Sequence, residues 1–500
     1  MSRLVVVSNR VPLPQSGKQA GGLAVVLNGL MERRGGLWFG WDGSVCELGQ
    51  EDRLSVVNRG GVDYATVPLT AEEHERYYNG FSNGVLWPLL HTMPELIQYD
   101  RAQARVYGSV NQRWARSLVA MLRPDDLIWV HDYHLLPMAA RLRDEGVRNP
   151  IGFFLHIPFP AADVLGAAPD MGALVADMLA ADLLGFQAEN DLENFAAAAT
   201  ALGGATRVAA ATLALGARRI RLGVFPVEID APEIAAEATE RLRSIDVQNL
   251  QRSLGGQKLI FGAERLDPTK GLVQRLLGYR TLLENYGGWR RQVTMVQIAA
   301  TSRKEVSAYR TLRERLDQEA GSLNADFGDP DWTPLRLSAR GVERGTVAAY
   351  MRLADVGLVT PLRDGMNLVA KEYIAAQDPQ NPGVLVLSRF AGAARQLEAA
   401  LLVNPRDPQE LAEAMHKALT MDLAERQARW RDCMQAISQR SPLAWGESFL
   451  APLAKAAPTE RPTRAPRLWR QSIGAESATM LPDPAALMPV SRLRVPRTLN

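Results

Sequence analysis

Lys258-Leu-Ile-Phe-Gly-Ala-Glu-Arg265-Leu-Asp-Pro-Thr-Lys270-Gly271 is the stretch on which the fold turns. Leu259 to Ala263 is an apolar run without polar alternation, as expected of a parallel strand covered on both faces. The chain then turns charged for a few residues and enters, at Gly271, a helical pattern over Leu272–Tyr286. Val293–Ile298 is apolar again. Strand, charged turn, helix and strand make a βαβ unit. The same alternation extends both ways, with apolar runs at Leu4–Val7, Leu127–His131, Ile151–His156, Leu183–Phe186, Ile220–Phe225, Val356–Val359 and Val384–Leu387. Helical stretches stand at Leu135–Glu145, Glu305–Glu319 and Pro408–Leu419. So many strands exceed one sheet of usual size. The fold class is therefore α/β, with two doubly wound parallel-sheet domains.

The domain boundary falls near Glu228–Leu254, where Phe-Pro-Val-Glu-Ile-Asp230 ends one strand and a polar helical stretch leads to Gly255-Gly256. The expected division is residues 1–230 and 231–439, with 440–454 crossing back to the first domain as a helix. From about Lys455 the chain carries eight Lys/Arg against three Asp/Glu, with many prolines. Residues 455–500 read as a flexible basic extension, with a weak docking arm for an acidic surface as the other reading.

Composition narrows the function classes. Hydrophobic residues are 47% and charged residues 22% of 500, which fits an ordered globular chain. Lys+Arg 57 against Asp+Glu 55 leaves +2, too small a balance for a general nucleic-acid or membrane field. Cys46 and Cys433 are far apart and form no CxxC pair, so reduced thiols are expected. The N-terminus lacks the apolar stretch of about 7–15 residues of a signal peptide, and no segment approaches the roughly 18–20 apolar residues of a membrane span. The expected compartment is the cytoplasm.

In parallel α/β sheets ligands sit at the carboxyl ends of strands. After the first strand come Ser8-Asn9-Arg10 and then Gly21-Gly22 opening a helix, a place where backbone N–H groups can approach a phosphate. A simple tight turn explains the glycines equally well. Leu127–His131 leads into Asp132-Tyr-His134. His131 and His134 do not share a face at a strand end, and no Cys or third His is near, so Asp132 at the mouth of a sugar pocket fits better than a metal. His156-Ile-Pro-Phe-Pro160 follows the next strand, and His156 reads as either a buried structural histidine or a site residue.

In the second half, Arg265 and Lys270 sit between a buried strand and a helix, placed to stabilise a departing diphosphate without a metal ion. No Walker motif is present. Val356-Gly-Leu-Val-Thr-Pro-Leu-Arg-Asp364-Gly-Met-Asn-Leu368-Val369-Ala370-Lys371-Glu372 repeats the pattern. Asp364 can accept from sugar hydroxyls, N–H groups near Leu368 can face phosphates, and Glu372 can grip a ribose diol. Aromatic clusters at Trp38–Trp41 and Tyr77–Trp87 read either as sugar-stacking walls in loops or as core. Asp329 and Asp331 form a DxD-like pair in a polar loop.

Taken in order, Ser-Asn-Arg10, Gly21-Gly22, Gly-Leu-Trp-Phe-Gly-Trp41, Tyr-Tyr78-Asn through Leu-Trp87-Pro, Trp-Val-His-Asp132-Tyr-His, His156-Ile-Pro-Phe-Pro, Glu-Arg265-Leu-Asp with Lys270-Gly, Thr-Ser-Arg303 and Arg-Asp364-Gly-Met-Asn-Leu-Val-Ala-Lys-Glu372-Tyr resemble the trehalose-6-phosphate synthases, retaining glycosyltransferases of family 20. The resemblance runs from about Arg3 to Leu453. It implies two Rossmann-like domains in the GT-B arrangement with the active site in the cleft between them. It also implies transfer of glucose from a nucleoside-diphosphate glucose, with UDP-glucose the expected donor, to glucose 6-phosphate. Arg10, Trp41, Tyr78, Trp87, Asp132 and Arg303 would then hold the acceptor. Gly21, Gly22, Arg265, Lys270, Val342 and Leu368 through Glu372 would hold the donor, with His156 and Asp364 at the donor glucose. His156, Asp364, Arg265 and Lys270 form the catalytic group. No cofactor and no metal are expected. The expected partners are the two small-molecule substrates, with neither nucleic acid nor membrane, and self-association stays open. A transferase using glycerol 3-phosphate as acceptor is the nearest rival, and a sugar-phosphate sensor without turnover is a more distant one. The chain departs from the family at Pro226-Val227-Glu228-Ile229, where a glycine is usual in place of Glu228, and at Pro268-Thr269 in place of Tyr-Ser.

Overall fold

The computed structural model describes residues 2–13, 22–303 and 305–456. Gly21 and residues 457–500 of the basic extension lie outside the described residues. Eighteen strands are present among the rest: β1 (Leu4–Arg10), β2 (Gly36–Trp41), β3 (Val45–Cys46), β4 (Ser55–Arg59), β5 (Val62–Thr66), β6 (Leu69–Thr70), β7 (Leu127–His131), β8 (Ile151–Phe154), β9 (Leu183–Phe186), β10 (Thr206–Ala209), β11 (Thr212–Leu215), β12 (Arg218–Val224), β13 (Lys258–Arg265), β14 (Val293–Ala300), β15 (Leu335–Ser338), β16 (Val356–Val359), β17 (Val384–Ser388) and β18 (Leu401–Val403).

The N-terminal sheet has the order β10-β11-β12-β9-β8-β7-β1-β2-β5-β4. Its middle is parallel, and only the edges, β4 and the β10–β11 ribbon, run antiparallel. The C-terminal sheet, β15-β14-β13-β16-β17-β18, is parallel throughout. β7, β8, β9, β16 and β17 are buried along their whole length, which explains their unbroken apolar composition.

Each sheet is laid down outward from its centre in two directions. The N-terminal one grows from β1 to β2 and β5 on one side and from β7 on the other. The C-terminal one grows from β13 to β14 and β15, then from β16. The switch points therefore lie between β1 and β7 and between β13 and β16, and ligands of open α/β sheets bind outside the strand ends at such points. The loops concerned carry Arg10, Asp132, Arg265, Lys270 and Asp364.

From Ile229 onward the chain packs with the second sheet: Ile229, Ala231, Ile234 and Ala238 share a buried cluster with Leu259, Phe261 and Leu385. The helix Pro442–Ala454 returns to the first sheet. Phe449 stacks on Trp129 at 4.6 Å and lies so close to β8 and β9 that a Cβ on Gly152 or Gly185 would meet it at 2.6 or 2.7 Å.

Several local expectations change. Trp38 and Trp41 stand on β2 rather than in a loop, and Trp38 is core, 1% exposed. Tyr77 and Tyr78 belong to a wide-turned helix, His74–Leu86, in which Asn and Gly are tolerated because the element is held by packing. The helix expected from Leu135 begins at Met138, after a short turn ending at Leu135. Asp329 and Asp331 are exposed and paired with Arg291 at 2.8 and 2.5 Å.

Candidate active site

The C-terminal half supplies a charged floor. β13 ends at Arg265, and Asp267 caps the following turn by accepting from the Thr269 N–H at 3.0 Å. Asp267 is fully buried, with Trp87 Nε1 donating to it at 3.2 Å and the Tyr309 hydroxyl at 2.9 Å; Arg303 lies 3.5 Å away. Burial alone would raise its pKa, but Arg303, Arg265 and Lys270 outweigh burial and hold the carboxyl well below the usual range. Lys270 Nζ pairs with Asp364 Oδ2, which also accepts from Asn367 Nδ2 at 3.1 Å. Beneath these loops Arg275, fully buried, donates to Glu264 at 2.7 Å, Gln297 at 2.8 Å and Thr360 at 3.1 Å. One guanidinium thereby ties the ends of β13 and β16 together.

The N-terminal half supplies the aromatic wall. Arg10 stacks on Trp41 with 4.8 Å from its guanidinium carbon to the ring centroid, and Trp41 meets Tyr78 at 5.6 Å. Tyr78 in turn stacks on His134 at 5.8 Å. Asp132 Oδ1 accepts from the His156 N–H at 3.2 Å, and burial raises its pKa to about 6. His131 Nδ1 and His156 Nε2 are 3.0 Å apart, and burial keeps both rings neutral, with His156 down to about 3.

The two halves meet. Arg265 and Arg303, both from the C-terminal half, lie over the ring of Trp87 at 5.7 and 4.2 Å. Arg303 also donates to the Tyr133 hydroxyl at 3.0 Å. Gly365, beside Asp364, lies so near the N-terminal half that a Cβ there would be 2.2 Å from the His156 carbonyl oxygen. Asp132, Asn367 and Arg303 hold left-handed φ of 75°, 73° and 48°, a strain that tends to collect at functional sites.

The structure thus gathers Arg10, Trp41, Tyr78, Trp87, Asp132, His156, Arg265, Lys270, Arg303 and Asp364 around one cleft. Leu368 and Glu372 open on a neighbouring cavity shared with Val26, Arg33, Ile229 and Arg344, and burial raises the Glu372 pKa despite Arg344. Gly22 begins the helix Gly22–Arg34. Val342 and Val369 pack half-buried against the C-terminal core, and Ala370 is fully buried. Lys371 differs from the expectation of a donor contact: its ammonium is taken up by the connection between the domains, donating to Val227 O and Glu228 Oε2, both at 2.7 Å. In the Leu368–Glu372 segment only the first-turn N–H groups and Glu372 remain suited to a ligand. Sequence reading gave no role to Asp267, Tyr133, Tyr309 or Arg275. A signal for Arg275 existed, since it occupies the apolar face of its helix with Leu272, Leu276 and Tyr279.

Two Rossmann-like sheets facing each other at their switch points, with arginines from one closing on an aromatic wall from the other, define a glycosyltransferase of the GT-B architecture. The model of glycosyltransferase family 20 matches residues 2–455, and the chain belongs to that family. It is 45% identical to the trehalose-6-phosphate synthase of Citrobacter koseri over 464 residues, which covers 93% of this chain and 97% of that protein. A UDP-forming alpha,alpha-trehalose-phosphate synthase from Burkholderia xenovorans, solved with glucose-6-phosphate, is similar at TM-score 0.87 and 46% identity, covering 90% of this chain and all (100%) of that one. The E. coli counterpart bound with UDP-2-fluoro glucose has TM-score 0.88 and 45% identity, covering 92% and 100%. Among the described residues no helix is long and apolar enough to cross a membrane.

Proposed function

We propose that this chain transfers glucose, with retention, from UDP-glucose to glucose 6-phosphate, giving α,α-trehalose 6-phosphate and UDP. The observation that carries the reading is the placement of Arg265 and Arg303 over the single ring of Trp87, 5.7 and 4.2 Å from its centroid. One cation then serves the leaving diphosphate and the other the acceptor phosphate, both beside the ring against which the acceptor sugar lies. The acceptor hydroxyl attacks the donor C1 on the face from which the diphosphate departs. The C1–O bond to phosphate breaks through an oxocarbenium-like state, and the hydroxyl proton passes to the departing phosphate oxygen. Arg265 and Lys270 offset the charge that develops on that oxygen. Arg10 and Arg303 hold the acceptor phosphate, Asp132 and Tyr78 orient the acceptor, and His156 and Asp364 orient the donor glucose. Leaving-group stabilisation by side-chain cations makes a divalent metal unnecessary in this scheme. We assign the activity to the cytoplasm, in keeping with two unpaired cysteines.

The test is a grid of UDP-, ADP- and GDP-glucose against glucose 6-phosphate and glycerol 3-phosphate, with products identified and a parallel arm in EDTA. Trehalose 6-phosphate made from UDP-glucose and undiminished in chelator is expected. Glucosylglycerol phosphate as the main product would overturn the acceptor assignment, and loss of turnover in EDTA restored by a divalent ion would overturn the metal-free scheme.

A further inference from the structure

The connection between the domains is held by a group the reaction does not use. Glu228 lies four residues beyond β12, is 2% exposed, and its carboxylate is fully engaged. Lys371 Nζ donates to Oε2 at 2.7 Å and Gln396 Nε2 donates to Oε1 at 2.8 Å. The same Lys371 ammonium donates to the Val227 carbonyl at 2.7 Å, so it grips the connection twice. From the other side, the Val227 N–H donates to Gln187 Oε1 at 3.0 Å. Lys371 belongs to the helix Leu368–Ala376, whose Leu368 and Glu372 line the cavity beside the cleft.

We propose that Glu228 is a positioning residue that fastens the interdomain connection to the donor-binding helix, so that the first turn of Leu368–Ala376 and Glu372 stand at the spacing the nucleotide sugar requires. The inference rests on the donor site proposed above. An ammonium buried to this degree is costly without a partner, and a backbone carbonyl alone leaves its charge uncompensated. The carboxylate neutralises it and thereby keeps Lys371, and the helix that bears it, against Val227. Removing the carboxylate frees Lys371 to seek water, and the helix moves with it. The acceptor wall of Trp41, Tyr78 and Trp87 is built on other elements and is untouched.

The experiment compares Glu228→Ala and Glu228→Gln with the unaltered full chain, reading UDP binding by calorimetry, the KM of each substrate, kcat and thermal midpoint. Glu228→Ala is expected to weaken UDP binding and raise the UDP-glucose KM about tenfold, the low end for a lost hydrogen bond to a charged group. The glucose 6-phosphate KM should stay within about twofold. Glu228→Gln should recover only part of the loss, because its amide oxygen still accepts from Lys371 but leaves the ammonium charge uncompensated. Gln396 Oε1, which has no partner, can turn to accept from the new amide N–H. Unchanged UDP binding in Glu228→Ala, or equal rises in both KM values with a lowered midpoint and no recovery by glutamine, would overturn the positioning role. Glu372→Ala, measured alongside, separates the two levels of the argument. Intact UDP binding in that variant refutes the donor-helix reading itself, whereas weakened binding there beside intact binding in Glu228→Ala refutes only the role of Glu228.

Discussion

A single methyl group at Gly365 tests how closely the two domains must approach. An alanine Cβ there would sit 2.2 Å from the His156 carbonyl oxygen, 2.9 Å from Ile157 Cα and 3.0 Å from the His156 carbonyl carbon. Cβ atoms essentially never come within 3.0 Å of another heavy atom, so at least about 0.8 Å must be found. The Asp364 loop cannot retreat. Its Asp364 N–H donates to Phe390 O at 3.2 Å, its carbonyls accept from Gly392 at 3.1 Å and Ala393 at 2.8 Å, and the Gly392 backbone lies directly against Gly365 O. His156 is likewise fixed by Asp132. Relief must come from parting the domains by about 1 Å, and a misplacement of that size at reacting groups costs on the order of 10²-fold in rate. Gly365→Ala should therefore lower kcat/KM by about 10²-fold in an assay of UDP release. The thermal midpoint should move by no more than a few degrees, because the Gly365 backbone is not left-handed and alanine can adopt it. A kcat/KM within threefold of the unaltered protein, or a loss matched by unfolding, refutes the reasoning.

Other perturbations address single charges. Arg265→Ala should lower kcat by roughly 10²–10³-fold, the scale for one preorganised charge-stabilising donor; near-normal turnover would remove Arg265 from the leaving-group role. Arg303→Ala should chiefly raise the glucose 6-phosphate KM, and an unchanged acceptor dependence in initial-rate measurements would disprove that contact. Asp132, raised to about 6 from 3.8, binds its proton more tightly folded than unfolded. Its contribution to stability is thus full below about pH 4 and is lost as pH rises to about 6, by about 1–3 kcal/mol. Urea unfolding of Asp132→Asn against the unaltered protein across pH 4 to 7 should show that loss abolished in the variant; parallel curves would contradict it.

The fold was legible because buried parallel strands have no wet face. Leu127–His131, Val356–Val359 and Val384–Ser388 are wholly buried, so burial alone dictates an apolar run, and the run needs no alignment to be seen. The switch-point loops followed from the same reading, since charge confined to a few residues after such a run marks a strand end, as at Arg265–Lys270. Strands with one wet face hid. β4 is exposed along its length, and so is β10 in the β10–β11 ribbon. The helix His74–Leu86 hid because its residues suggest turns, and packing, chiefly on Arg101–Val119, holds it. Side-chain direction was the other blind spot. Spacing put Lys371 in a ligand-facing segment, yet its position on the helix turns it toward Glu228, a partner 143 residues earlier in the chain.

The principal charges at the cleft are held in pairs and clusters. Lys270 and Asp364 pair with each other, and Asp267 is shared by Arg303, Tyr309 and Trp87. A lone buried charge is expensive, and a pair is costly to break unless both members gain new partners at once. In the proposed reaction the donor provides that exchange: its diphosphate takes Lys270 while its glucose hydroxyls take Asp364. Either fragment alone would leave one member unpaired. UDP without glucose, or a glucose without diphosphate, should then bind less well than the sum of its contacts implies, whereas the intact nucleotide sugar recovers both. Selection of the complete donor thus follows from the pairing of Lys270 with Asp364, not from the number of contacts the donor makes.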